Sequence, residues 1–364
     1  MGIRILFALV PILLFGNILP AQTLSQIKNM KTTPSCYGAV KISTPIQIDG
    51  LAAETAWDLA AWTDEFVDIE GAVQPAPKYS TKVKMLWDEA YLYVYARMEE
   101  PHVWGRLTQR DTIIYHDNDF EVFIKPFEQQ SFYYEIEVNP LNTILDLMMP
   151  KPYRFGGDAL MHWDVKGLKS AIHVEGTLNN PDDTDQYWSV EMAIPFSALS
   201  TYSSKATPNI NDYWRINFSR VQWQHDVSEG IYTRKTANGK LLPEDNWVWS
   251  AIGVVNMHYP ERWGFVKFVE EAEVVGLPKA HAAEKMAWNI FYLQQLYKQE
   301  HKRFADNIEE LEEGRHLLTK DADDLRCEIF INSYKAGYVL EVKDLENHFT
   351  VILDNFGHYR INYE

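Results

Sequence analysis

The sequence predicts a mainly β protein, an antiparallel β-sandwich followed by a small C-terminal α+β unit. Three observations indicate this fold. Many short segments alternate apolar and polar residues with a period of two, which is typical of half-buried strands. Turn-forming residues separate these segments, as in sandwiches built from short antiparallel strands. From about residue 280 the apolar residues recur every three or four positions, which predicts a helix.

The N-terminus has the pattern of a cleaved export signal. Arg4 precedes an almost unbroken apolar run over residues 5–14, and Ala21 supplies a small residue near the expected cleavage point. Because the run is shorter than the ~20 residues that span a bilayer, a signal peptide over residues 1–21 is favoured over an anchor helix. The mature chain is expected to be periplasmic, on the cell surface or secreted. Residues 22–36 are expected to form a linker.

The predicted sandwich extends over residues 37–272. Its first strand leads through a turn at residues 48–50 into a short helical segment over residues 49–62. Two alternating segments around the tight turn at Asp88 and Glu89 then predict a hairpin. The predicted strands are residues 37–48, 82–87, 91–98, a pair within 115–139, 168–175, 187–194, 213–221 and 264–269.

The pair of strands within residues 115–139 has two chemically different faces, because successive side chains of a strand point to opposite faces of the sheet. One face is expected to enter the core: Phe120, Val122, Ile124, Phe132, Tyr134, Ile136 and Val138. The other collects carboxylates, an amide and aromatic rings: Asp119, Glu121, Phe123, Tyr133, Glu135, Glu137 and Asn139. Sugars present hydroxyl groups and apolar C–H faces. Carboxylates beside rings therefore predict a sugar-binding surface.

The C-terminal unit is predicted over residues 278–364. Met286, Ile290, Leu293 and Tyr297 share one face of a helix within residues 280–305. Four short strands over residues 327–331, 338–342, 349–354 and 358–363 are expected to follow as an antiparallel meander. This unit is a candidate docking site for a protein partner.

Composition and motifs exclude several classes of function. The formal net charge of the 364 residues is −17 and there is no basic stripe, so a nucleic-acid partner is not expected. The chain has no GxSxG, HExxH or phosphate-loop motif. Cys36 and Cys327 show no zinc-binding pattern, and the sequence leaves open whether they form a disulfide.

An ordered series of motifs resembles the family 9 carbohydrate-binding modules in their divergent, exported bacterial form. The matching segments are residues 48–50 (IDG) with Ala56-Trp57, 84–88 (KMLWD), 91–94 (YLYV), 117–123 (DNDFEVF), 135–139 (EIEVN), 190–199 (VEMAIPFSAL), 216–221 (INFSRV) and 257–268 (MHYPERWGFVKF). The resemblance covers roughly residues 37–270. It implies a β-sandwich that binds glycans without cleaving them, often with structural calcium.

The resemblance also implies a binding cleft in which two aromatic rings clamp a terminal sugar. The first ring falls on Tyr115 and the carboxylate of the following strand on Glu121. Glu137 stands where the family has an arginine, and Met257 where it has the second ring. Candidates to replace that ring are Trp247, Trp249, His258 and Tyr259.

The predicted site residues follow from the strand-face pattern and from the family resemblance. The expected ligand is a mono- or oligosaccharide. The predicted carbohydrate-binding residues are Tyr115, Glu121, Glu137, Asn139, Arg215, Asn217 and His258. No cofactor is expected beyond structural calcium, for which the acidic candidates are Asp117, Asp119, Asp182, Asp183 and Asp185.

Two other functions stay open at this point. The sandwich is alternatively a protein-interaction or scaffold module without glycan binding, an idea that Met257 in place of a ring favours. A third hypothesis is a glycoside-processing enzyme, because Asp119 and Glu121 on one strand face are expected roughly 7 Å apart, within the ~6.5–9.5 Å of inverting glycosidases.

Overall fold

The computed structural model describes residues 23–363 except 312–313, 315–317, 319–324 and 335. The predicted signal peptide lies outside these residues. The helices are α1 Leu24–Asn29, α2 Phe196–Leu199 and α3 His281–His301. The strands are β1 Cys36–Lys41, β2 Val67–Asp68, β3 Thr81–Trp87, β4 Tyr91–Glu99, β5 Asp119–Lys125, β6 Tyr133–Val138, β7 Ile144–Met149, β8 Lys169–Glu175, β9 Tyr187–Pro195, β10 Tyr213–Gln222, β11 His225–Ser228, β12 Ile231–Arg234, β13 Thr236–Ala237, β14 Lys240–Leu241, β15 Asp245–Val248, β16 Gly264–Val269, β17 Cys327–Tyr334, β18 Gly337–Asp344, β19 Phe349–Asp354 and β20 Tyr359–Tyr363.

Within the described chain, one curled sheet of twelve strands forms the sandwich. Its main path runs β7-β6-β5-β10-β16-β1-β3-β4-β9-β8, and β15 links β10 to β2. The mainly β fold with a small C-terminal α+β unit is therefore confirmed. The sheet is mixed rather than purely antiparallel, because β1 lies between β16 and β3 and is parallel to both. Alternation along a strand carries no information about the direction of its neighbours.

The main core lies between the two halves of this curled sheet. The predicted inward residues of β5 and β6 are buried there together with Trp188 of β9 and Trp214 of β10. The pairing of β3 with β4 confirms the predicted hairpin. The strands over Gly264–Val269 and Phe349–Asp354 have the predicted bounds. β7 was not predicted, and it extends the sheet beyond β6.

The turn before the first helical segment is held by a buried carboxylate. Glu191 of β9 accepts hydrogen bonds from the backbone N–H groups of Asp49 and Gly50 and from the indole of Trp57, at 2.8–2.9 Å. Gly50 has φ +91°, and a Cβ there would lie 2.8 Å from the backbone of His173, so only glycine fits. The residues expected to be helical form a 3-10 turn over Thr55–Leu59.

The C-terminal unit packs against the polar face of β5 to β7. Its strands form the antiparallel sheet β17-β18-β19-β20, and α3 shares an apolar cluster with that sheet and with Phe123 and Tyr133 of the sandwich. Residues 22–36, expected to be a linker, include the capped helix α1, whose Ile27 is fully buried in the same cluster. Part of the face expected to bind sugar is thus covered by the chain itself.

Two further features concern the whole described chain. Cys36 and Cys327 are both free thiols. None of the helices in the described residues has the length and apolar character needed to cross a membrane.

Candidate carbohydrate-binding site

Two adjacent strands bring three carboxylates together on one face of the sheet. β5 and β6 pair with Glu121 directly opposite Glu137. Asp119 lies two residues before Glu121 on β5 and therefore on the same face. One carboxylate oxygen of each residue lies within 4.8 Å of the other two. All three side chains are buried, and we call them the carboxylate cluster.

Few partners compensate the charge of the carboxylate cluster. The backbone N–H of Tyr115 donates a hydrogen bond to Glu137 Oε2 at 3.0 Å, and Asp119 Oδ1 accepts a long backbone bond of 3.4 Å. Asp119 Oδ2 and the hydroxyl of Ser219 are buried without a hydrogen-bond partner. In the part of the chain that the structure describes, no basic side chain forms an ion pair with the cluster.

Burial and mutual repulsion raise the pKa values of the cluster. Burial, reinforced by the charge of Glu137, raises the pKa of Glu121 to about 8. Burial raises the pKa of Glu137 to about 7. The pKa of Asp119 lies well above its ordinary value because of burial and the charges of both neighbours. At neutral pH the unliganded cluster therefore retains protons and offers both donors and acceptors of hydrogen bonds.

Two half-exposed tyrosines lie beside these carboxylates. Tyr115, in a 3-10 turn before β5, is 39% exposed, and Tyr153, in a 3-10 turn after β7, is 40% exposed. Burial raises the pKa of Tyr115, and the charges of Glu137 and Glu121 contribute. Burial, with the charges of Glu135 and Glu137 contributing, raises the pKa of Tyr153 to about 12. The charge of Glu137 thus acts on both tyrosines, and both rings keep accessible surface.

Sequence reasoning missed Tyr153 as a candidate ring. It lies in the Pro- and Gly-containing stretch over residues 150–158, which has no alternating pattern. The available signal was an aromatic residue in an irregular loop, a place where binding residues concentrate. The four residues considered for the second ring position besides His258 are all at most 8% exposed: Met257, Trp247, Trp249 and Tyr259.

His258 supports the site instead of supplying its second ring. One of its ring nitrogens, Nδ1, is hydrogen-bonded to the hydroxyl of Tyr133 at 2.7 Å. Its ring meets that of Tyr153 edge to face, with the ring centres 4.6 Å apart. Burial and the nearby Arg154 guanidinium lower the pKa of His258 to about 4, so its imidazole is neutral at pH 7. The histidine therefore packs against the ring of Tyr153.

Three other predicted residues have their polar groups engaged elsewhere. Arg215 forms a buried ion pair with Glu284 of α3 at 2.8 Å. The amide of Asn217 bonds the backbone of Ser250 at 2.9 and 3.0 Å. Asn139 donates to the Leu107 carbonyl and to Asp117. We therefore leave Arg215, Asn217 and Asn139 out of the binding site proposed below.

The predicted calcium ligands are scattered. Asp117 accepts backbone hydrogen bonds from Arg106 and Leu107, at 2.7 and 2.8 Å, and so holds a loop. Asp185 does the same for Val103 and Thr177. Neither of these carboxylates, nor Asp182 or Asp183, joins a group of three acidic side chains in the described residues. Asp119 does, as a member of the carboxylate cluster.

A second acidic group contains its own cation. Asp111, Asp146 and Asp164 also bring carboxylate oxygens within 4.8 Å of one another. Arg110 forms ion pairs with all three, at 3.3 Å with Asp164 and 3.6 Å with Asp111. We call this set the Arg110 cluster. The protein thus supplies a cation to this group, which partly compensates its charge.

Comparisons with known proteins agree with the motif series. The model of the family described as carbohydrate family 9 binding domain-like matches residues 48–270. Among solved structures, a candidate carbohydrate-binding protein from Bacteroides uniformis is 16% identical, with a TM-score of 0.47, and covers 65% of this chain and 100% of its own. A family 9 carbohydrate-binding module from Caldicellulosiruptor kristjanssonii was solved with cellotriose and with glucose. These two structures are 17% and 16% identical, with TM-scores of 0.42 and 0.41, and each covers 67% of this chain and 100% of its own. The search of curated proteins found no match.

Proposed function

Since the chain belongs to the carbohydrate family 9 binding domain-like family, we propose that it is a non-catalytic protein that binds the end of a mono- or oligosaccharide. The observation that carries this proposal is the combination of two half-exposed rings, Tyr115 and Tyr153, with the carboxylate cluster beside them. Planar rings supply a rigid apolar surface for the C–H face of a sugar. Glu121 and Glu137 bond its hydroxyl groups, as acceptors when ionised and as donors when protonated.

Exposure selects the two rings, and their position beside the rings selects the carboxylates. Tyr115 and Glu121 were predicted from the sequence, and Glu137 lies directly across from Glu121. Tyr153 takes the role that the buried Met257 does not fill. His258 packs against the ring of Tyr153.

Calorimetric titration of the purified chain with a glycan panel tests the proposal. The panel includes glucose and cellotriose, the ligands of the Caldicellulosiruptor module. Binding is expected in the ~µM to mM range, as for small shallow sites. Tyr115→Ala and Tyr153→Ala are each expected to weaken it about tenfold or more, because each removes the apolar area of one ring.

Tyr202→Ala is the matched control, because Tyr202 is fully exposed and contributes no contact to the cluster. This variant is expected to bind like the unmodified chain. A panel without any bound glycan would overturn the proposed function. Unchanged affinity in the Tyr115→Ala, Tyr153→Ala double variant would overturn the site.

The carboxylate cluster does not have the spacing of an inverting glycosidase. The nearest oxygens of Asp119 and Glu121 lie within 4.8 Å, closer than the roughly 7 Å expected and than the ~6.5–9.5 Å of inverting glycosidases. Incubation with the same glycans is expected to release no product. Product release that disappears in Glu121→Gln would instead establish a glycoside-processing enzyme.

The proposed role includes export and a contribution to glycan utilisation. The charged and apolar pattern of residues 1–21 supports export. Fractionation of the native host, followed by N-terminal sequencing, is expected to find the protein outside the cytoplasm with Gln22 as its first residue. A cytoplasmic protein that retains residues 1–21 would contradict this expectation.

A further inference from the structure

The carboxylate cluster has no basic side chain paired with it in the described residues, so its charge is compensated by protons or by a bound cation. Like charges directly opposite each other on neighbouring strands are destabilising, and Glu121 faces Glu137 in this way. Burying several ionised carboxylates is favourable only with a compensating cation or with protons. The same protein solves this problem with Arg110 at the other acidic group.

A second, independent observation points into the cluster. Ser219 of β10 lies directly opposite Glu121 and is fully buried, yet its hydroxyl has no hydrogen-bond partner. That hydroxyl is close enough to Glu121 to oppose the rise of its pKa. Asp119 Oδ2 is likewise buried without a partner. Buried polar atoms in folded proteins are nearly always satisfied, so these two oxygens point to a missing ligand.

The chemistry and spacing of these atoms select the kind of ligand. All the donors are oxygens, which suit a hard cation such as calcium, magnesium or manganese. Calcium–oxygen bonds are 2.3–2.6 Å long, so two oxygens on one ion are at most about 5 Å apart. The cluster oxygens, within 4.8 Å of one another, satisfy this limit.

We propose that Asp119, Glu121 and Glu137 bind one divalent cation, calcium by preference, with the hydroxyl of Ser219 as a further ligand. Calcium accepts irregular sets of six to eight oxygens, whereas magnesium requires a nearly ideal octahedron. If each carboxylate binds through one oxygen, the protein supplies four ligands, and water or sugar hydroxyls complete the shell. Cation binding does not depend on the proposed function, and it is measured without sugar.

Calcium chloride titrated into the chelator-treated full chain tests the proposal. Isothermal calorimetry is expected to show a single site, and saturating calcium is expected to raise the melting temperature by about 5 °C. Glu137→Gln removes one ligand and is expected to weaken calcium binding at least tenfold. Asp164→Asn alters the Arg110 cluster in the same chemical way and is expected to bind calcium unchanged.

The outcomes separate the proposal from its alternatives. Circular dichroism of Glu137→Gln in chelator verifies its fold, and Glu121→Gln provides a second variant of the same cluster. The absence of both binding heat and a melting-temperature shift with calcium would overturn the proposal. It would indicate that shared protons compensate the carboxylates. Calcium binding that survives in the Glu121→Gln, Glu137→Gln double variant would also overturn it, by locating the ion elsewhere. Glycan binding by the chelator-treated chain would show that the proposed sugar site is intact without calcium, so the two proposals can fail separately.

Discussion

The two acidic groups of this protein have similar composition and opposite electrostatics. The Arg110 cluster surrounds a guanidinium, and two of its three carboxylates are exposed. The carboxylate cluster is buried throughout and has no basic side chain among the described residues paired to it. An acidic group with an internal cation serves as a brace between loops. One without it is completed by protons or by a ligand, and the half-exposed rings of Tyr115 and Tyr153 stand beside the carboxylate cluster.

A third charged group shows how strongly burial affects the stability that an ion pair contributes. Arg215 and Glu284 are both buried and join β10 to α3 at 2.8 Å. Arg215→Met leaves Glu284 buried without its cation, the situation of the carboxylate cluster. The free energy of unfolding is expected to fall by about 3–5 kcal/mol, as for other buried pairs broken on one side.

Denaturant unfolding measures this loss, with Arg303→Met as control. Arg303 pairs with Glu310 at 2.6 Å but is about half exposed, so its removal is expected to change stability far less than the removal of Arg215. Equal effects of the two variants would show that burial does not separate these pairs.

The pH dependence of the same pair gives a second prediction. Burial alone raises the pKa of Glu284, but the Arg215 guanidinium and hydrogen bonds from His281 and Tyr359 outweigh it and hold the pKa at about 2. Because this folded-state pKa lies below the ordinary glutamate value of 4.5, the pair contributes its full stability above that value and loses it as the pH falls toward 2. Unfolding curves between pH 6 and pH 2 are expected to show this loss in the unmodified chain and a smaller one in Arg215→Met. Parallel profiles would contradict the assignment.

Removing the cation of the exposed acidic group is expected to have an intermediate effect. Arg110→Met leaves Asp146 buried beside two other carboxylates, but Arg110 is itself 46% exposed and water screens the group. A loss of about 1–2 kcal/mol in the free energy of unfolding is expected, between the exposed and buried limits. A loss as large as that of Arg215→Met would mean that Asp146 is as dependent on its cation as Glu284.

The smallest expected effect has the opposite sign. In chelator, Glu137→Gln relieves the repulsion between Glu137 and Glu121 and is expected to leave stability unchanged or to raise it by up to about 1 kcal/mol. Thermal unfolding with and without chelator measures this change. A loss above 2 kcal/mol would indicate that Glu137 is compensated within the chain, as Asp146 is.

The sequence predicted the strands of the candidate site better than it predicted which residues belong to the site. The period of two assigned residues 119–124 and 133–138 to their correct faces, because that assignment depends only on neighbours in the chain. The family resemblance supplied Tyr115 and Glu121, which the proposed site keeps. The sequence placed Arg215 and Asn217 in the site because they share a strand pattern. Their partners, Glu284 and Ser250, lie 69 and 33 residues away in sequence, and no local pattern reports such pairs.

By itself, then, the sequence determined the class of fold, the direction in which the side chains of β5 and β6 point, and the family to which the chain belongs. These properties follow from periodicity and from an ordered set of short motifs. Tertiary structure alone decided that the polar face is covered by α3 near Phe123, that Tyr153 and not residue 257 offers a ring, and that three carboxylates meet without a cation. Those properties arise from contacts between distant segments, whose geometry depends on how the whole sheet curls and on what packs against it.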